Sequence, residues 1–487
     1  MHEKEFVELS TPFGNLRGVR REGVVAFHRV PYAEAPDGNR RFEMPVTPVR
    51  WSGVRDAIAV GPVPPQLPSR LDDVMGAYEA KQSEDCLHLD IWTSDTTGSA
   101  PVLVFIHGGG FMTGGGSLPC YDGNVLAKEN GLVVVTISYR LGILGFWPQP
   151  NFGGLNLALH DQLAALRWIK SAIANFGGDA DRITVAGQSA GAFSIATHLG
   201  ATGSSELFGR AILMSAPLGI KLRTVDEARP AAHAILDAFG LGPDQAHKLQ
   251  SMPIAQMLDG LLALSKRPPA VKGDITPPFM PTLDDLLLPH QPLETIKSNP
   301  PGWCDIMIGV TREEFSAFGA GNPALDQLSQ EELQALLEPE VGDEASATIA
   351  RIRSERVPAT SRAILGDFHT HGIFGTSVEI ATAQSGIGRE AFCYSFDWQS
   401  PDPAFGACHC IDLPFLFGNI GTWEVAPMIA GADRQEMSEL SQRFRGAIAA
   451  FAATGNPNGP GLPRWPAFGS SGARLHFDRH ISAFAAA

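Results

Sequence analysis

The stretch Arg182-Ile183-Thr184-Val185-Ala186-Gly187-Gln188-Ser189-Ala190-Gly191 joins an apolar, β-branched run to a segment that suits a helix. Its first half predicts a buried strand, and residues 192–199 predict the helix. A chain that passes so quickly from strand to helix needs glycine. Gly187 and Gly191 permit the tight turn and let the two backbones approach each other. This turn would hold Ser189 at a strained corner with its hydroxyl facing outward, as a nucleophilic serine requires.

Outward from this stretch, strand-like and helix-like segments alternate. This alternation predicts a large, mostly parallel central sheet with helices on both faces. We predict buried strands at residues 89–92, 101–107, 132–139, 182–186, 211–214, 305–310 and 391–396, and helices at 157–176 and around 442–453. Short alternating pieces at 9–30 predict N-terminal antiparallel strands, and 51–82 read as a surface loop. Segments 225–265 and 325–365, rich in Ala, Leu, Gln and Glu, predict helical insertions.

Bulk properties limit the classes of function. The chain has 487 residues and a formal net charge of −15. Because this charge offers no basic field for phosphates, we expect neither nucleic acid nor a membrane surface as partner. The N-terminus has no apolar signal region and no stretch is long enough to span a membrane, so we predict a cytoplasmic protein. We expect one domain over residues 1–487, and free thiols for its six cysteines.

A glycine run follows the strand predicted at 101–107. It reads His107-Gly108-Gly109-Gly110-Phe111. Without side chains in the way, backbone N–H groups there can approach a substrate oxygen and stabilise the negative charge of a tetrahedral intermediate. A flexible glycine turn is the alternative interpretation.

Paired acids follow the strand predicted at 305–310. Glu313 and Glu314 are adjacent, and either carboxylate could orient an imidazole and stabilise its protonated form. Taken alone, the pair could equally be a solvated acidic loop.

A histidine lies between two cysteines in Cys408-His409-Cys410. His409 could take the serine proton and return it to a leaving group, since its ordinary pKa of about 6.5 is close to working pH. Metal ligation is a second interpretation, but consecutive side chains point apart and no second ligand group has ordinary zinc spacing. A single histidine packed in the core is a third.

The order of these pieces favours catalysis. Serine, then acid, then histidine, with the glycine run upstream, is the chain order of α/β-hydrolases. The sequence also resembles the type-B carboxylesterases over nearly its whole length. That family includes bacterial p-nitrobenzyl esterases, mammalian carboxylesterases and cholinesterases, and this chain resembles the bacterial branch most. The matching pieces are residues 27–36, 41–42, 83–87, 107–111, 139–140, 161–162, 176–179, 187–191, 314, 409, 454–457 and 465–466.

The resemblance implies an α/β-hydrolase fold with helical insertions over the active site. It implies a serine carboxylesterase that hydrolyses esters of small, largely apolar molecules through an acyl-enzyme, with no metal and no cofactor. It assigns Ser189 as nucleophile, His409 as general base and acid, and Glu314 as the orienting carboxylate. The oxyanion hole falls to the N–H groups of Gly109, Gly110 and Ala190. Two ion pairs, Arg41 with Glu84 and Arg140 with Asp161, belong to the scaffold.

This chain departs from the family pattern at several positions. Gln188 stands where the family usually has Glu, and the loop 61–86 lacks the tryptophan that stacks on choline, so we expect weak selectivity for cations. Cys86, often in a disulfide in secreted members, has no partner nearby in sequence. Four side chains could form apolar walls or ordinary core: Phe111, Leu218, Phe315 and Phe318. Two other functions share the motifs, namely amide or carbamate hydrolysis by the same triad and a catalytically inactive binding role.

Overall fold

Strands rich in Val, Ile and Leu form the centre of the molecule in the computed structural model, which describes residues 5–148, 152–265 and 276–484. The strands are β1 Glu5–Thr11, β2 Gly14–Arg21, β3 Val24–Pro31, β4 Val54–Asp56, β5 His88–Thr93, β6 Ala100–Ile106, β7 Val133–Ile137, β8 Gly178–Gln188, β9 Arg210–Met214, β10 Arg223–Thr224, β11 Thr282–Leu283, β12 Asp305–Thr311, β13 Ala391–Phe396, β14 Arg474–Phe477 and β15 Ser482–Phe484.

Most of these strands join one sheet. Its order is β1-β2-β3-β5-β7-β6-β8-β9-β12-β13-β14-β15, with β4 beside β2. From β7 to β14 every neighbouring pair is parallel, whereas β1–β2, β2–β3, β3–β5, β5–β7 and the final pair β14–β15 are antiparallel. The short strand β4 pairs with β2 in parallel. The predicted parallel sheet with antiparallel N-terminal strands is therefore confirmed.

Helices connect the strands and cover both faces of the sheet. The α-helices are α1 Asp72–Met75, α2 Asn124–Asn130, α3 Gly142–Gly145, α4 Leu157–Ala172, α5 Ala190–Gly200, α6 Val225–Ala238, α7 Ile254–Ser265, α8 Pro292–Ser298, α9 Ser316–Gly319, α10 Gln330–Val341, α11 Ala345–Glu355, α12 Ser361–His369, α13 Glu379–Gly386, α14 Leu413–Phe417 and α15 Arg434–Thr454. Within the described ranges, no helix combines the length and the hydropathy of a membrane span.

Successive side chains of each strand point to opposite faces of the sheet, so the core consists of two main clusters. In β6, Val102, Val104 and Ile106 pack into one cluster that includes α4 and α5. Leu103 and Phe105 point the other way, into a cluster that includes α2, α14 and α15. Because both faces are buried, the parallel strands are apolar throughout rather than alternating.

The sequence misplaced or missed some elements. Helix α15 begins at Arg434, earlier than predicted, because the Asp433 side chain caps it by accepting hydrogen bonds from Gln435 N and Glu436 N. Strands β14 and β15 were not predicted, since they are short and lie at the edge of the sheet. The predicted loop at 51–82 contains the short elements β4 and α1.

The helical insertions are present in both predicted segments. Helices α6 and α7 fall in the first, and α10, α11 and most of α12 fall in the second, where they share a small core of their own. The first insertion is fastened to the N-terminal region by Arg41, whose Nη1 donates to Leu249 O at 2.9 Å and to Met252 O at 2.6 Å. The same guanidinium binds Glu84 in a bidentate pair at 2.5 and 2.6 Å.

A second ion pair lies deep in the scaffold. Arg140 donates through Nε and Nη2 to the Asp161 carboxylate at 2.8 and 2.6 Å, and its backbone N–H donates to the same group at 3.1 Å. Both side chains are almost completely buried. Burial opposes the charge on Arg140, but Asp161 outweighs it and raises the pKa of the guanidinium. All six cysteines are buried free thiols, as predicted.

Loss of the Asp161 charge should destabilise the fold strongly. Asp161→Asn leaves a buried guanidinium without its counter-charge, which costs about 3–5 kcal/mol. The control is Asp56→Asn, which breaks the exposed pair between Arg17 and Asp56 at the same 2.6 Å separation and costs less than about 1 kcal/mol. Chemical denaturation of both variants measures the difference, and equal losses would contradict the assignment of the Arg140–Asp161 pair to the scaffold.

Candidate active site

Ser189 lies between the end of β8 and the start of α5. Its backbone has φ 57° and ψ −121°, a region that non-glycine residues rarely occupy, and its N–H donates to Met214 O at 2.9 Å. A Cβ on Gly191 would lie 2.0 Å from the carbonyl oxygen of Ile106 in β6, and one on Gly187 would lie 2.7 Å from the backbone of Gly191. Both positions therefore require glycine. The side chain of Ser189 is partly exposed, whereas Gln188 and Ala190 on either side are buried.

His409 and Glu314 form a buried pair. His409 Nδ1 lies 2.5 Å from Glu314 Oε2, and Glu314 Oε1 accepts from the backbone N–H of Thr311 at 2.8 Å. His409 N also donates to Glu314 O at 3.3 Å, so the two loops are joined through their backbones as well. A carboxylate acceptor fixes the proton on Nδ1 and leaves Nε2 as the free acceptor of the ring.

Neighbouring groups shift the pKa of His409. Burial lowers it, but the side chains of Cys410 and Glu314 outweigh burial and raise the pKa well above its ordinary value of 6.5. The Glu314 carboxylate thus stabilises the protonated ring, which is the form that a general base reaches after it takes a proton.

The remaining ring nitrogen of His409 faces the turn that holds Ser189. Gln188 Nε2 lies 3.1 Å from His409 Nε2 and 3.2 Å from Cys410 Sγ. Across the described residues, no hydrogen bond joins the Ser189 hydroxyl to His409. Hydrogen bonds of this kind are often long without substrate and tighten only in the complex. The structure therefore brings together His409 and Glu314, and sets Ser189 one residue from the amide that meets Nε2.

The glycine run forms a turn beside Ser189. The carbonyl of Gly109 accepts from Met112 N at 3.0 Å and Thr113 N at 3.1 Å, and a Cβ on Gly108 would lie 3.1 Å from the Ser189 Cβ. In the described part of the chain, the N–H groups of Gly109, Gly110 and Ala190 have no acceptor. Ala190 opens α5, whose N-terminus carries partial positive charge.

Buried rings hold this turn in place. His107 stacks on Tyr139 with ring centroids 4.4 Å apart, and Tyr139 donates to His107 O at 2.7 Å. Burial lowers the pKa of His107 to about 4, so the ring is neutral and serves the scaffold.

Aromatic side chains surround His409. The centroids of Phe318 and Phe374 lie 5.4 and 5.0 Å from the imidazole. Phe315 stacks instead on His369 at 4.4 Å, and Phe111 packs edge-on against Phe146 at 5.1 Å. Leu218 is buried in the larger core cluster. Of the four predicted wall residues, Phe318 is thus the one that contacts the imidazole.

Two further acids are close to the pair. The Glu313 carboxylate accepts from Ala407 N at 2.7 Å and from Arg356 Nη2 at 3.1 Å, so it braces the loop and does not contact the imidazole. Burial, reinforced by Glu314, raises the pKa of Asp412 to about 7, and Tyr394 donates to its Oδ2 at 3.4 Å.

The cysteines beside His409 diverge. Cys408 Sγ lies 4.0 Å from Met428 Sδ, whereas Cys410 Sγ contacts Gln188. Nowhere in residues 5–148, 152–265 or 276–484 do three or more His, Cys, Asp or Glu side chains form a group that could hold a metal ion.

Comparison with known proteins gives the family. A sequence model described as the Carboxylesterase family matches residues 4–483. This chain belongs to the carboxylesterase family. It is a carboxylic ester hydrolase with the α/β-hydrolase fold.

The similarity to other carboxylesterases extends over almost the whole chain. Phenmedipham hydrolase of Pseudarthrobacter oxydans is 37% identical over 467 residues, covering 94% of this chain and 92% of the relative. Para-nitrobenzyl esterase of Bacillus subtilis is 35% identical over 469 residues, with 94% and 92% covered. The crystal structure of a Geobacillus stearothermophilus carboxylesterase has 35% identity and a TM-score of 0.87, and the match covers 98% of this chain and 97% of that one.

Three residues of this carboxylesterase site were missed or only half understood from sequence. Phe374 carries no motif and lies beyond the second insertion, so only the folded chain brings it to His409. Asp412 follows His409 closely in the chain, but no motif in the sequence assigns it a role. Gln188 was noted for its lost charge, and its contact with Nε2 was not foreseen.

The charge of Glu314 should control the protonation of His409. Glu314→Gln keeps the shape of the side chain but removes the charge that stabilises the imidazolium, so the pKa of His409 should fall. Titration of ¹⁵N-histidine-labelled protein by NMR measures this. His198, whose pKa burial lowers to about 3, is the internal reference and should not move. An unchanged His409 pKa would exclude Glu314 as the group that raises it.

Proposed function

We propose that this carboxylesterase uses Ser189 as nucleophile, His409 as general base and acid, and Glu314 as the carboxylate that orients the imidazole. The observation that supports this most directly is that the two ring nitrogens of His409 face different groups. Nδ1 bonds Glu314 at 2.5 Å, and Nε2, 3.1 Å from Gln188, faces the turn that carries Ser189. A base between an acid and a nucleophile needs this arrangement.

The first half of the proposed reaction acylates Ser189. Nε2 exchanges its Gln188 partner for the serine hydroxyl and takes the proton as Oγ attacks the ester carbonyl carbon. The carbonyl oxygen becomes an oxyanion, and the N–H groups of Gly109, Gly110 and Ala190, which have no other acceptor in the described residues, donate to it. His409 then gives its proton to the leaving alcohol oxygen as the ester C–O bond breaks.

The second half releases the acid. Water gives a proton to His409 Nε2 and attacks the acyl-enzyme carbonyl, and collapse of the tetrahedral intermediate returns the proton to Ser189 Oγ. Glu314 stabilises the imidazolium in both halves. Because a protonated His409 cannot act as base, and its pKa is raised, activity should increase with pH through that pKa.

Small, largely apolar esters are the proposed substrates. Phe318 and Phe374 supply apolar surface beside His409, and Gln188 adds no charge there. A cytoplasmic location and a reaction without metal or cofactor stay predictions from the sequence.

Removal of the Ser189 hydroxyl should abolish turnover. Ser189→Ala should lower kcat for p-nitrophenyl butyrate by about 10⁴-fold or more, because the nucleophile is lost. Ser171→Ala is the control, since this serine is exposed on α4 and, within the described residues, its hydroxyl donates only to Trp168 O. An organophosphate should label the parent enzyme at Ser189 and leave the variant unlabelled. A variant that stays active would reject Ser189, and a parent enzyme that is neither active nor labelled would favour the inactive binding role.

Ester and amide hydrolysis share the same tetrahedral chemistry, so the leaving group must decide between them. We expect kcat/KM for p-nitrophenyl butyrate to exceed that for the matched p-nitroanilide. Rates of release of the two chromophores, measured on one enzyme preparation, test this. Faster cleavage of the anilide would assign the triad to amides.

A further inference from the structure

Arg70 lies beside the glycine turn of the active site. Its Nη2 is 3.8 Å from the position that a Cβ on Gly110 would occupy, and Pro277 Cγ is 3.7 Å from the same point. Gly110 has φ 59° and its N–H is one of the proposed oxyanion donors. The guanidinium therefore lies beside the residue that supplies one of the proposed oxyanion donors.

The guanidinium has no partner in the described residues. Among residues 5–148, 152–265 and 276–484, no carboxylate, carbonyl or other acceptor pairs with it, although the chain contains 52 acidic residues against 37 Lys and Arg. The side chain as a whole reaches solvent, but burial of its charged end lowers the pKa of Arg70, and no acid in the described part of the chain offsets that effect. A partly desolvated cation without a counter-charge is costly, and an anionic ligand would relieve that cost.

The loop that carries Arg70 is tied to the glycine turn. Gln66 Nε2 donates to Gly114 O and Gly114 N donates to Gln66 Oε1, each at 2.7 Å. Further along, Tyr78 donates to Thr422 O at 3.3 Å, and Val63 pairs with Gln82 at the base of the loop. The loop that carries Arg70 is therefore fastened to the segment that forms the turn.

We propose that Arg70 is a specificity-determining residue that binds a carboxylate carried by the substrate itself, so that among small esters with a largely apolar body the enzyme prefers those with an anionic group near the scissile bond. This inference rests on the proposed function of the Ser189 site. Arginine suits the role because its planar fork donates two parallel hydrogen bonds to a carboxylate. A net charge of −15 disfavours anions in general, so a local cation is the feature that would select them.

Matched substrate pairs test the proposal and locate the carboxylate. One pair is mono-p-nitrophenyl adipate and p-nitrophenyl hexanoate, in which the carboxylate is on the acyl side. The other is 4-acetoxybenzoate and 4-methylphenyl acetate, in which it is on the alcohol side. For at least one pair, Arg70→Met should lower the ratio of kcat/KM for the anionic to the neutral ester by about 10- to 100-fold. Arg70→Lys should lower it less, since a point charge remains.

Controls separate this inference from simpler effects. Arg50→Met removes one positive charge from an exposed residue of the N-terminal region and should leave both ratios unchanged. Added salt should reduce the parent preference for the anionic ester and have little effect on the Arg70→Met variant. If Arg70→Met lowers kcat/KM equally for the anionic and neutral members of both pairs, or changes neither ratio, the inference is overturned while the Ser189 mechanism stands. If the parent cleaves none of the four esters, the proposed function fails instead.

Discussion

The contact on which the site depends is the approach of α5 to the end of β6. A Cβ on Gly191 would lie 2.0 Å from Ile106 O, so the first turn of the helix can reach the sheet only without a side chain there. This approach fixes the positive-φ backbone of Ser189 and places Ala190 at the start of the helix, beside the end of β6. The strained backbone of Ser189 is thus held by the close packing of Gly191 against β6. Helix α5 is buried, which keeps that packing rigid.

The parallel arrangement of the strands brings Glu314 and His409 to the edge of the sheet where Ser189 lies. Strands β6, β8, β9, β12 and β13 are consecutive neighbours, so the loops at their carboxyl ends emerge along one edge of the sheet. The loop after β12 carries Glu314, and the one after β13 carries His409. A backbone bridge between Glu313 and Cys408 joins them. This bridge explains why the two adjacent acids have different partners. Glu313 accepts from Ala407 N and joins the loops, while Glu314 contacts the imidazole.

Features encoded locally could be predicted from the sequence, and features created by tertiary contact could not. Gly187 and Gly191 predict the turn because no residue with a Cβ fits at either position. The apolar runs predict strands because both faces of the parallel sheet are buried. The start of α15 was missed because residues 434–436 are not buried and the Asp433 cap precedes the apolar pattern of the helix. Phe374 and Arg70 reach the site from segments without any motif, and only the folded chain brings them to His409 and Gly110.

The charged and neutral groups around the site together favour an anionic substrate. The Glu314 carboxylate is paired with His409, and burial raises the pKa of Asp412 to about 7, so that this second acid is about half protonated near neutral pH. The resembled family usually places another acid at 188, whereas here a neutral amide meets Nε2. A carboxylate at 188 would repel an anionic substrate at the very turn that Arg70 borders. Neutral Gln188 and Arg70, which has no partner among the described residues, therefore shift the local potential in the same direction, toward anions, in a chain whose overall charge opposes them.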